Sequence, residues 1–217
     1  MGALRGMNKK VCVLASGGFD SCVLLADLLE RGYEVHPFYV SSGFYWEEAE
    51  LSWLRRFLKA MKCRELKPLT VAETPMRWIM GGHWSLTGKG VPSSRAAWDS
   101  VYLPGRNLLL LSQAGVYAAT HDIPLVVLGV LRGNPFADSK PRFLKDMQSA
   151  INDALRSRLK VSAPYSKLGK AQVARLAARL TKPFPSDLTF SFLRPLRRNA
   201  CGKCSKCAER KEGLRPA

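Results

Sequence analysis

Apolar and polar positions along this chain predict strands that alternate with helices. Short apolar runs, typical of strands buried on both faces, are followed by longer segments in which apolar residues recur every three or four positions. Strands are predicted at 11–15, 35–40, 66–71 and 125–130. The first helix is predicted to begin at residue 20 and to be ended by Gly32. Further helices are predicted at 46–61, 106–120, 143–159 and 169–181. This alternation indicates an α/β fold, an open parallel sheet with helices on both faces.

Two stretches fall outside the alternation. Residues 73–104 form a long irregular segment that is either a lid over a substrate or an insertion packed on the surface. The end of the chain is loop-like and rich in basic residues. We therefore divide the chain into a main domain, 1–182, and a basic C-terminal segment, 183–217.

The first predicted strand meets the first predicted helix at a cluster of small and polar residues, Ser16, Gly17, Gly18, Phe19, Asp20 and Ser21. Glycines let the backbone curl around an anion, and a helix N-terminus offers free N–H groups and the positive end of its dipole. The cluster favours a phosphate-binding loop. An ordinary strand-to-helix turn is the alternative, because the same residues are good turn and cap formers.

The motif excludes two familiar nucleotide sites. It lacks the lysine of G-x-x-x-x-G-K-[ST] and the spacing of G-x-G-x-x-G. In a parallel sheet, ligands bind beyond the carboxyl ends of the strands. The loop at 16–21, the loop at 131–141 and the Gly105-Arg106-Asn107 turn are therefore expected to share one crevice.

Charge is distributed unevenly along the 217 residues. The chain has 34 Lys and Arg against 17 Asp and Glu; residues 1–138 carry 15 basic and 12 acidic residues, and residues 139–217 carry 19 and 5. Such a segment suggests a partner with negative charge, either RNA or an acidic protein acceptor, or else the phosphates of ATP. A solvated basic face without a partner explains it equally well.

Cysteine use and hydropathy bear on the compartment. There are six cysteines, no export signal is recognisable, and no apolar run approaches the length of a membrane span. We expect a cytoplasmic protein without membrane association, in which the thiols are ligands or core residues. We also expect a homodimer.

Three of the cysteines, Cys201, Cys204 and Cys207, follow one another at three-residue spacing. C-x-x-C turns hold two sulfurs at a separation suited to tetrahedral zinc. A redox pair is the alternative. A structural zinc prefers four ligands, and this motif supplies three.

The S-G-G-x-D-S loop resembles the PP-loop of the N-type ATP pyrophosphatases. Further motifs follow in order: L-P-G-R-N ending at Asn107, G-V with a later Asp138, and A-C-G-K-C-S-K-C-x-x-R. Together they resemble the 7-cyano-7-deazaguanine synthase family (QueC) from about residue 11 to 213. The resemblance implies an adenine nucleotide alpha hydrolase-like, Rossmann-like domain with a small C-terminal zinc knuckle.

The resemblance also implies a reaction. Such an enzyme is an ATP-dependent ligase that adenylates the carboxylate of 7-carboxy-7-deazaguanine and releases pyrophosphate. Ammonia then displaces AMP to give an amide, and a second ATP-dependent step dehydrates the amide to the nitrile. ATP, Mg²⁺ and a structural Zn²⁺ are the implied cofactors, and a small 7-deazaguanine is the implied substrate.

Carried over onto matching positions, the resemblance assigns roles to individual residues. Catalysis would fall to Asp20, Ser21, Arg106 and Lys170. Nucleotide would be bound by Ser16, Gly17, Gly18, Phe19, Asp20, Ser21, Gly105, Arg106 and Asn107. The deazaguanine would be recognised by Arg132, Phe136 and Asp138, and zinc would be bound by Cys201, Cys204 and Cys207. Lys170 and Arg106 are otherwise charges facing solvent, and Asp138 is otherwise a turn former.

One departure from the family leaves alternatives open. Phe192 stands where the family has a further cysteine, so the fourth ligand is another residue, a water or a partner, or the metal is lost.

Two other functions use the same loop. One is that of a defence-associated relative that joins the activated deazaguanine to a protein amine, and the other is that of a PP-loop enzyme that thiolates tRNA. The resemblance favours the synthase over these two.

Overall fold

A computed structural model describes residues 9–93, 95–197 and 199–213 of the chain. Its described residues form one parallel sheet with the strand order β3-β2-β1-β4-β5. The strands are β1 (Lys10–Leu14), β2 (Glu34–Ser41), β3 (Thr70–Glu73), β4 (Leu125–Leu128) and β5 (Lys160–Ser162). The central β1 lies between β2 and β4, so the segment that follows β1 emerges at the middle of the sheet edge.

Helices connect the strands. They are α1 (Phe19–Glu30), α2 (Glu47–Ala60), α3 (Arg77–Met80), α4 (Trp84–Thr87), α5 (Arg106–Thr120), α6 (Pro141–Leu155), α7 (Lys170–Ala178) and α8 (Ser205–Gly213). Short 3₁₀ turns lie at Trp98–Val101, Ala137–Ser139 and Ser186–Leu188. The order of elements confirms the predicted α/β architecture.

Both faces of the sheet are covered because its buried strands are apolar on both sides. Val11 and Val13 face a core formed with α1, α7 and the end of α2. Cys12 and Leu14, alternating with them along β1, face a second core formed with α5 and α6. This double burial leaves the carboxyl edge of the sheet as the place where loops converge.

The structure corrects several predicted elements. The third strand is shifted from 66–71 to Thr70–Glu73, and Leu66 makes only an isolated bridge to Val35. The helix predicted at 143–159 ends at Leu155, and the three residues of β5 follow soon afterwards. The irregular stretch contains α3 and α4, and the basic segment contains α8.

Within residues 9–93, 95–197 and 199–213, no helix is both long enough and apolar enough to cross a membrane.

Candidate active site

The turn between β1 and α1 is shaped to hold an anion. Gly17 has a φ of +68°, and a Cβ at that position would lie 3.2 Å from the Cβ of Leu54. α1 begins at Phe19 with Gly18 as its N-cap, and no side chain caps it. The first-turn N–H groups of a helix have no partner within the helix, so an uncapped end at a glycine turn fits a phosphate.

The hydroxyls of Ser16 and Ser21 form hydrogen bonds within the turn. Ser21 Oγ donates to the Gly18 carbonyl over 3.0 Å and lies 3.3 Å from Ser16 Oγ. The Gly18 N–H donates to Ser16 Oγ over 3.3 Å. At the end of β4, a Cβ on Gly129 would lie 3.2 Å from the Ser21 nitrogen, so this close approach requires glycine. The loop is therefore fixed by its own hydroxyls and by the neighbouring strand.

An ion pair joins the loop to α7. Lys170, the first residue of α7, donates from Nζ to Asp20 Oδ2 over 2.9 Å. The other oxygen, Asp20 Oδ1, is buried and has no hydrogen-bond partner among the described residues. An unpartnered buried carboxylate oxygen beside a phosphate-shaped turn fits a ligand of Mg²⁺, which prefers oxygen donors.

Arg106 brings a second cation to the same edge. It opens α5 directly after Gly105, whose φ is +67°. Its guanidinium carbon lies 5.9 Å from the centre of the Phe44 ring. Its Nε is buried without a hydrogen-bond partner in the described part of the chain. A buried donor of this kind is available to an oxygen of a bound ligand.

Glu50, on α2, is a buried acid that sequence reasoning missed. It is only 5% exposed, and Tyr39 Oη donates to its Oε2 over 2.6 Å. Burial raises the pKa of Glu50 to about 7, while the Arg106 charge and the Tyr39 hydrogen bond act to lower it. The same burial, with the nearby Glu50 charge, raises the pKa of Tyr39. The pair places an acid of near-neutral pKa beside the candidate site.

Asp138 and Asn107 are held together by two hydrogen bonds. The Asn107 backbone N–H donates to Asp138 Oδ2, and Asn107 Nδ2 donates to the Asp138 carbonyl, each over 3.0 Å. Asp138 is therefore both a buried carboxylate and the acceptor at the start of α5. Nearby, the rings of Tyr102 and Phe136 lie 5.1 Å apart, centre to centre.

These groups surround a cavity of about 1160 Å³ beyond the carboxyl ends of the strands. The structure brings ten of the residues singled out in the sequence to its walls: Ser16, Gly18, Phe19, Asp20, Arg106, Asn107, Arg132, Phe136, Asp138 and Lys170. Ser21 lines an adjoining cavity of about 210 Å³. Gly17 and Gly105 line neither of these two cavities, and the three clustered cysteines lie outside them as well.

The cavity wall includes charged residues that the sequence did not reveal as site residues. They are Glu50, Arg175, Lys206, Glu209 and Arg210. Arg175 lies on α7, more than one turn after Lys170. Lys206, Glu209 and Arg210 lie on α8, a segment that the sequence predicted as loop. The C-x-x-R at the end of the cysteine motif was the one signal available for Arg210.

The three cysteines near the end of the chain form a compact cluster. Cys207 Sγ lies 3.8 Å from Cys201 Sγ and 3.5 Å from Cys204 Sγ, and all three sulfurs lie within 4.8 Å of one another. Tetrahedral zinc with bonds of about 2.3 Å separates its sulfur ligands by about 3.8 Å. The thiols therefore fit a single zinc ion.

Protonation of the cluster also suits a metal. Burial acts to raise the pKa of Cys201, but hydrogen bonds with the backbone of Lys203 and Cys204 and with the Cys204 and Cys207 thiols together lower that pKa. Burial and the Cys204 sulfur raise the pKa of Cys207 to about 12. The Cys201 thiol thus ionises more easily than a free cysteine, and a cation would favour the thiolate of Cys207.

Phe192 is a buried apolar residue that packs in the same hydrophobic cluster as the three cysteines. Its ring is 4% exposed and lies 4.2 Å from the Phe190 ring, centre to centre. Among the described residues, no His, Asp, Glu or further Cys joins the three sulfurs. The described residues therefore supply three protein ligands for a zinc ion.

The described residues form an α/β protein whose parallel sheet carries an uncapped glycine turn after its central strand. The fold is similar to that of a 4-thiouridine synthetase solved in complex with RNA and bound ATP. That match has a TM-score of 0.51 and 19% identity, and covers 94% of this chain and 49% of the other. The likeness at this identity concerns the fold.

The chain belongs to the QueC family. The model of the family described as queuosine biosynthesis protein QueC matches residues 10–217. The 7-cyano-7-deazaguanine synthase 1 of Desulfitobacterium hafniense is 31% identical over 210 residues, covering 95% of this chain and 92% of the relative. The 7-cyano-7-deazaguanine synthase of Picrophilus torridus is 30% identical over 223 residues, covering 97% and 89%.

Proposed function

We propose that this protein is an ATP-dependent 7-cyano-7-deazaguanine synthase that activates its substrate by adenylation. The observation that carries the proposal is that the phosphate-shaped turn and the Asp138 carboxylate face one cavity. The family and the names of its relatives favour this reaction over transfer to a protein amine and over tRNA thiolation.

The first step is attack of the substrate carboxylate on the α-phosphorus of ATP, with release of pyrophosphate. The uncapped N-terminus of α1 and the Gly17 turn would hold the phosphates. Lys170 would stabilise the charge that develops on the phosphate oxygens. Asp20 would hold Mg²⁺, which when bound supplies positive charge for phosphate oxygens.

Recognition of the deazaguanine is assigned to other residues that line the cavity, Asp138, Phe136 and Arg132. A guanine-like edge presents N–H donors, and a carboxylate such as Asp138 accepts from them. Phe136, with Tyr102 beside it, offers an aromatic surface for the flat ring system. Arg132, exposed at the rim of the cavity, supplies positive charge for the substrate carboxylate. Arg106 lines the same cavity and would donate to the ligand through its unpartnered Nε.

The later steps convert the acyl adenylate to the amide and then to the nitrile. Ammonia forms a C–N bond at the acyl carbon, AMP leaves with the former carboxylate oxygen, and one proton is released. The amide oxygen then attacks a second ATP with loss of pyrophosphate. Departure of AMP with that oxygen, together with loss of the remaining N–H protons, gives the nitrile.

Four further assignments belong to the same proposal. Cys201, Cys204 and Cys207 would bind a structural Zn²⁺ that holds the start of α8 in place. The chain would divide at 182/183 into the ATP-using domain and the knuckle segment. Assembly as a homodimer is proposed and is checked by light scattering. The basic C-terminal third is proposed to serve bound phosphates rather than a macromolecule.

The experiment combines purified protein with ATP, Mg²⁺ and 7-carboxy-7-deazaguanine, with and without ammonia, and identifies products by mass spectrometry. Asp20→Asn tests the loop, because it keeps the shape of the side chain and removes its charge. Asp146→Asn is the matched control, since Asp146 is 67% exposed on α6. Circular dichroism verifies that both variants are folded.

The expected result is a nitrile with ammonia, and loss of pyrophosphate release of at least a hundredfold in Asp20→Asn alone. AMP and pyrophosphate without amide or nitrile would replace ammonia with another acceptor. No turnover of the deazaguanine by folded protein would overturn the proposed substrate. Unchanged pyrophosphate release by Asp20→Asn would remove the loop carboxylate from the mechanism.

A further inference from the structure

The segment that precedes the cysteine cluster is attached to the phosphate-shaped turn. We call residues 186–193 the bracing segment. Within it, the Phe190 N–H donates to the Gly17 carbonyl over 2.7 Å, and Gly18 and Phe190 form an isolated parallel bridge. The Phe190 ring is 4% exposed. The bracing segment thus fixes the carbonyl of the glycine whose left-handed conformation makes the turn.

The Arg210 side chain donates hydrogen bonds from α8 to the bracing segment. Arg210 Nη1 donates to the Thr189 carbonyl over 3.1 Å, to Thr189 Oγ1 over 2.5 Å and to Ser191 Oγ over 3.3 Å. Its Nη2 donates to the Ser186 carbonyl over 2.7 Å. The planar guanidinium can serve several acceptors in one fixed geometry, which a lysine ammonium on a flexible stem reproduces poorly.

The start of α8 is in turn defined by the cysteine cluster. Cys204 directly precedes α8, and Cys207 lies in its first turn. The Leu193 N–H, at the end of the bracing segment, donates to Cys204 Sγ over 3.3 Å. Binding of a metal by these thiols orders the backbone that carries them, because the thiolates must converge on one ion.

We propose that Arg210 is a positioning residue that links the metal-bound cysteine cluster to the phosphate-binding turn, so that ATP affinity depends on the metal through this guanidinium. The chain of contacts runs from the thiols to α8, from Arg210 to the bracing segment, and from Phe190 to Gly17. The inference rests on the proposed binding of ATP at the turn. It adds that the metal, although outside the cavity, controls that binding.

The test measures ATP binding by calorimetry in zinc-loaded wild type and in Arg210→Met, Arg210→Lys and Lys211→Met. Lys211 is the matched control, since it is exposed on the same helix and lines neither cavity. Arg210→Met is expected to weaken ATP binding about tenfold or more, because it removes charged hydrogen bonds to several partly buried acceptors. Arg210→Lys is expected to recover part of the loss, and Lys211→Met to bind as the wild type does.

Chelation separates positioning from direct contact with phosphate. Removal of zinc from the wild type is expected to weaken ATP binding about as much as Arg210→Met does. Removal of zinc from Arg210→Met is expected to add little, because both changes break the same connection. Effects that multiply instead would mean that Arg210 contacts ATP independently of the metal, and would overturn the proposal.

Steady-state kinetics supply a second readout. The KM for ATP is expected to rise in Arg210→Met, with little change in kcat or in the KM for the deazaguanine. A fall in kcat together with equal rises in the KM for ATP and the KM for the deazaguanine, and with a lower Tm, would assign Arg210 to stability alone. That result would contradict the proposal. Wild-type ATP affinity in a zinc-loaded Arg210→Met would contradict it too. If wild type itself does not bind ATP, the proposed function fails instead, so the two failures are distinguishable.

Discussion

Replacing Glu50 by Gln is expected to stabilise the protein at neutral and alkaline pH. Gln keeps the shape of the side chain and an oxygen that can accept from Tyr39, but it removes the buried charge. Burial raises the pKa of Glu50 from its ordinary value of 4.5 to about 7. The folded protein therefore holds this proton more tightly than the unfolded chain does.

The sign and size of the effect follow from linkage. Below about pH 4.5 the acid is protonated in both states, so the folded state bears no penalty there. As the pH rises from 4.5 to about 7, the unfolded chain ionises and the folded protein lags behind, which destabilises the fold. Each pKa unit corresponds to about 1.4 kcal/mol, so the full penalty above pH 7 is about 3 kcal/mol.

The assay is urea unfolding of zinc-loaded wild type and Glu50→Gln between pH 5 and 8.5, followed by tryptophan fluorescence and circular dichroism. Arg106, Tyr39 and Glu47 are the charged or titratable groups that act on Glu50. The advantage of the variant should grow with pH and level off near pH 8, at about 3 kcal/mol or somewhat less. Glu48→Gln, on an exposed residue of the same helix, controls for the loss of one negative charge.

Two results would refute the reasoning. A stability difference that does not change with pH would mean that Glu50 does not carry the buried proton. A Glu50→Gln protein that becomes less stable as the pH rises would mean that an ion pair with Arg106 outweighs the cost of burial.

Three further predictions concern the turn, its ion pair and the cysteine cluster. Gly17→Ala should lower the free energy of unfolding by about 1–2 kcal/mol in urea titrations, because a side chain is unfavourable at a φ of +68° and would crowd Leu54; unchanged stability would show that the turn relaxes. Lys170→Met should reduce kcat/KM for pyrophosphate release about a hundredfold, while stability changes by less than about 1 kcal/mol because the pair with Asp20 is partly exposed; a loss of stability alone would contradict a role in catalysis. Phe192→Cys should tighten zinc binding at least tenfold in competition with a chelator by adding a fourth thiolate, and should lower the Tm of the metal-free protein by removing a buried ring; unchanged zinc affinity would place residue 192 out of reach of the metal.

The central part of the fold could be predicted because local and tertiary preferences agree there. The helix predicted at 106–120 has those bounds in the structure, since Gly105 turns the chain before it and an amphipathic run continues to Thr120. The strand after it is nearly as predicted. Long periodic segments carry enough sequence signal to locate a helix by themselves.

Elements at the edges of the fold could not be predicted in the same way. β5 has three residues, the first of them an exposed lysine, and it exists because β4 offers hydrogen-bonding groups along one side. α8 contains few apolar residues, and its start follows the cysteine turn rather than a hydrophobic stripe. Such elements depend on partners distant in sequence, so a local pattern does not reveal them.

Some residues of the candidate site could likewise be predicted from local sequence, and others could not. The glycine turn is contiguous in sequence, and its residues could be named from the motif. Glu50 could not, because on α2 it reads as one charge among many on a solvated helix. Its buried carboxylate accepts from the Tyr39 hydroxyl, which another element supplies. Arg210 likewise acquires its acceptors only when 186–191 folds back against α8.

The bond from the Asn107 N–H to Asp138 has a consequence for how this site can evolve. A carboxylate that served the substrate alone could be exchanged whenever a new substrate brought an advantage. Here the carboxylate proposed to bind the substrate also accepts from the Asn107 N–H in the first turn of α5. A lineage that changes residue 138 alters the anchoring of that helix in the same mutation. Specificity at this wall is therefore expected to drift slowly, and to do so through Phe136 and Arg132 before Asp138.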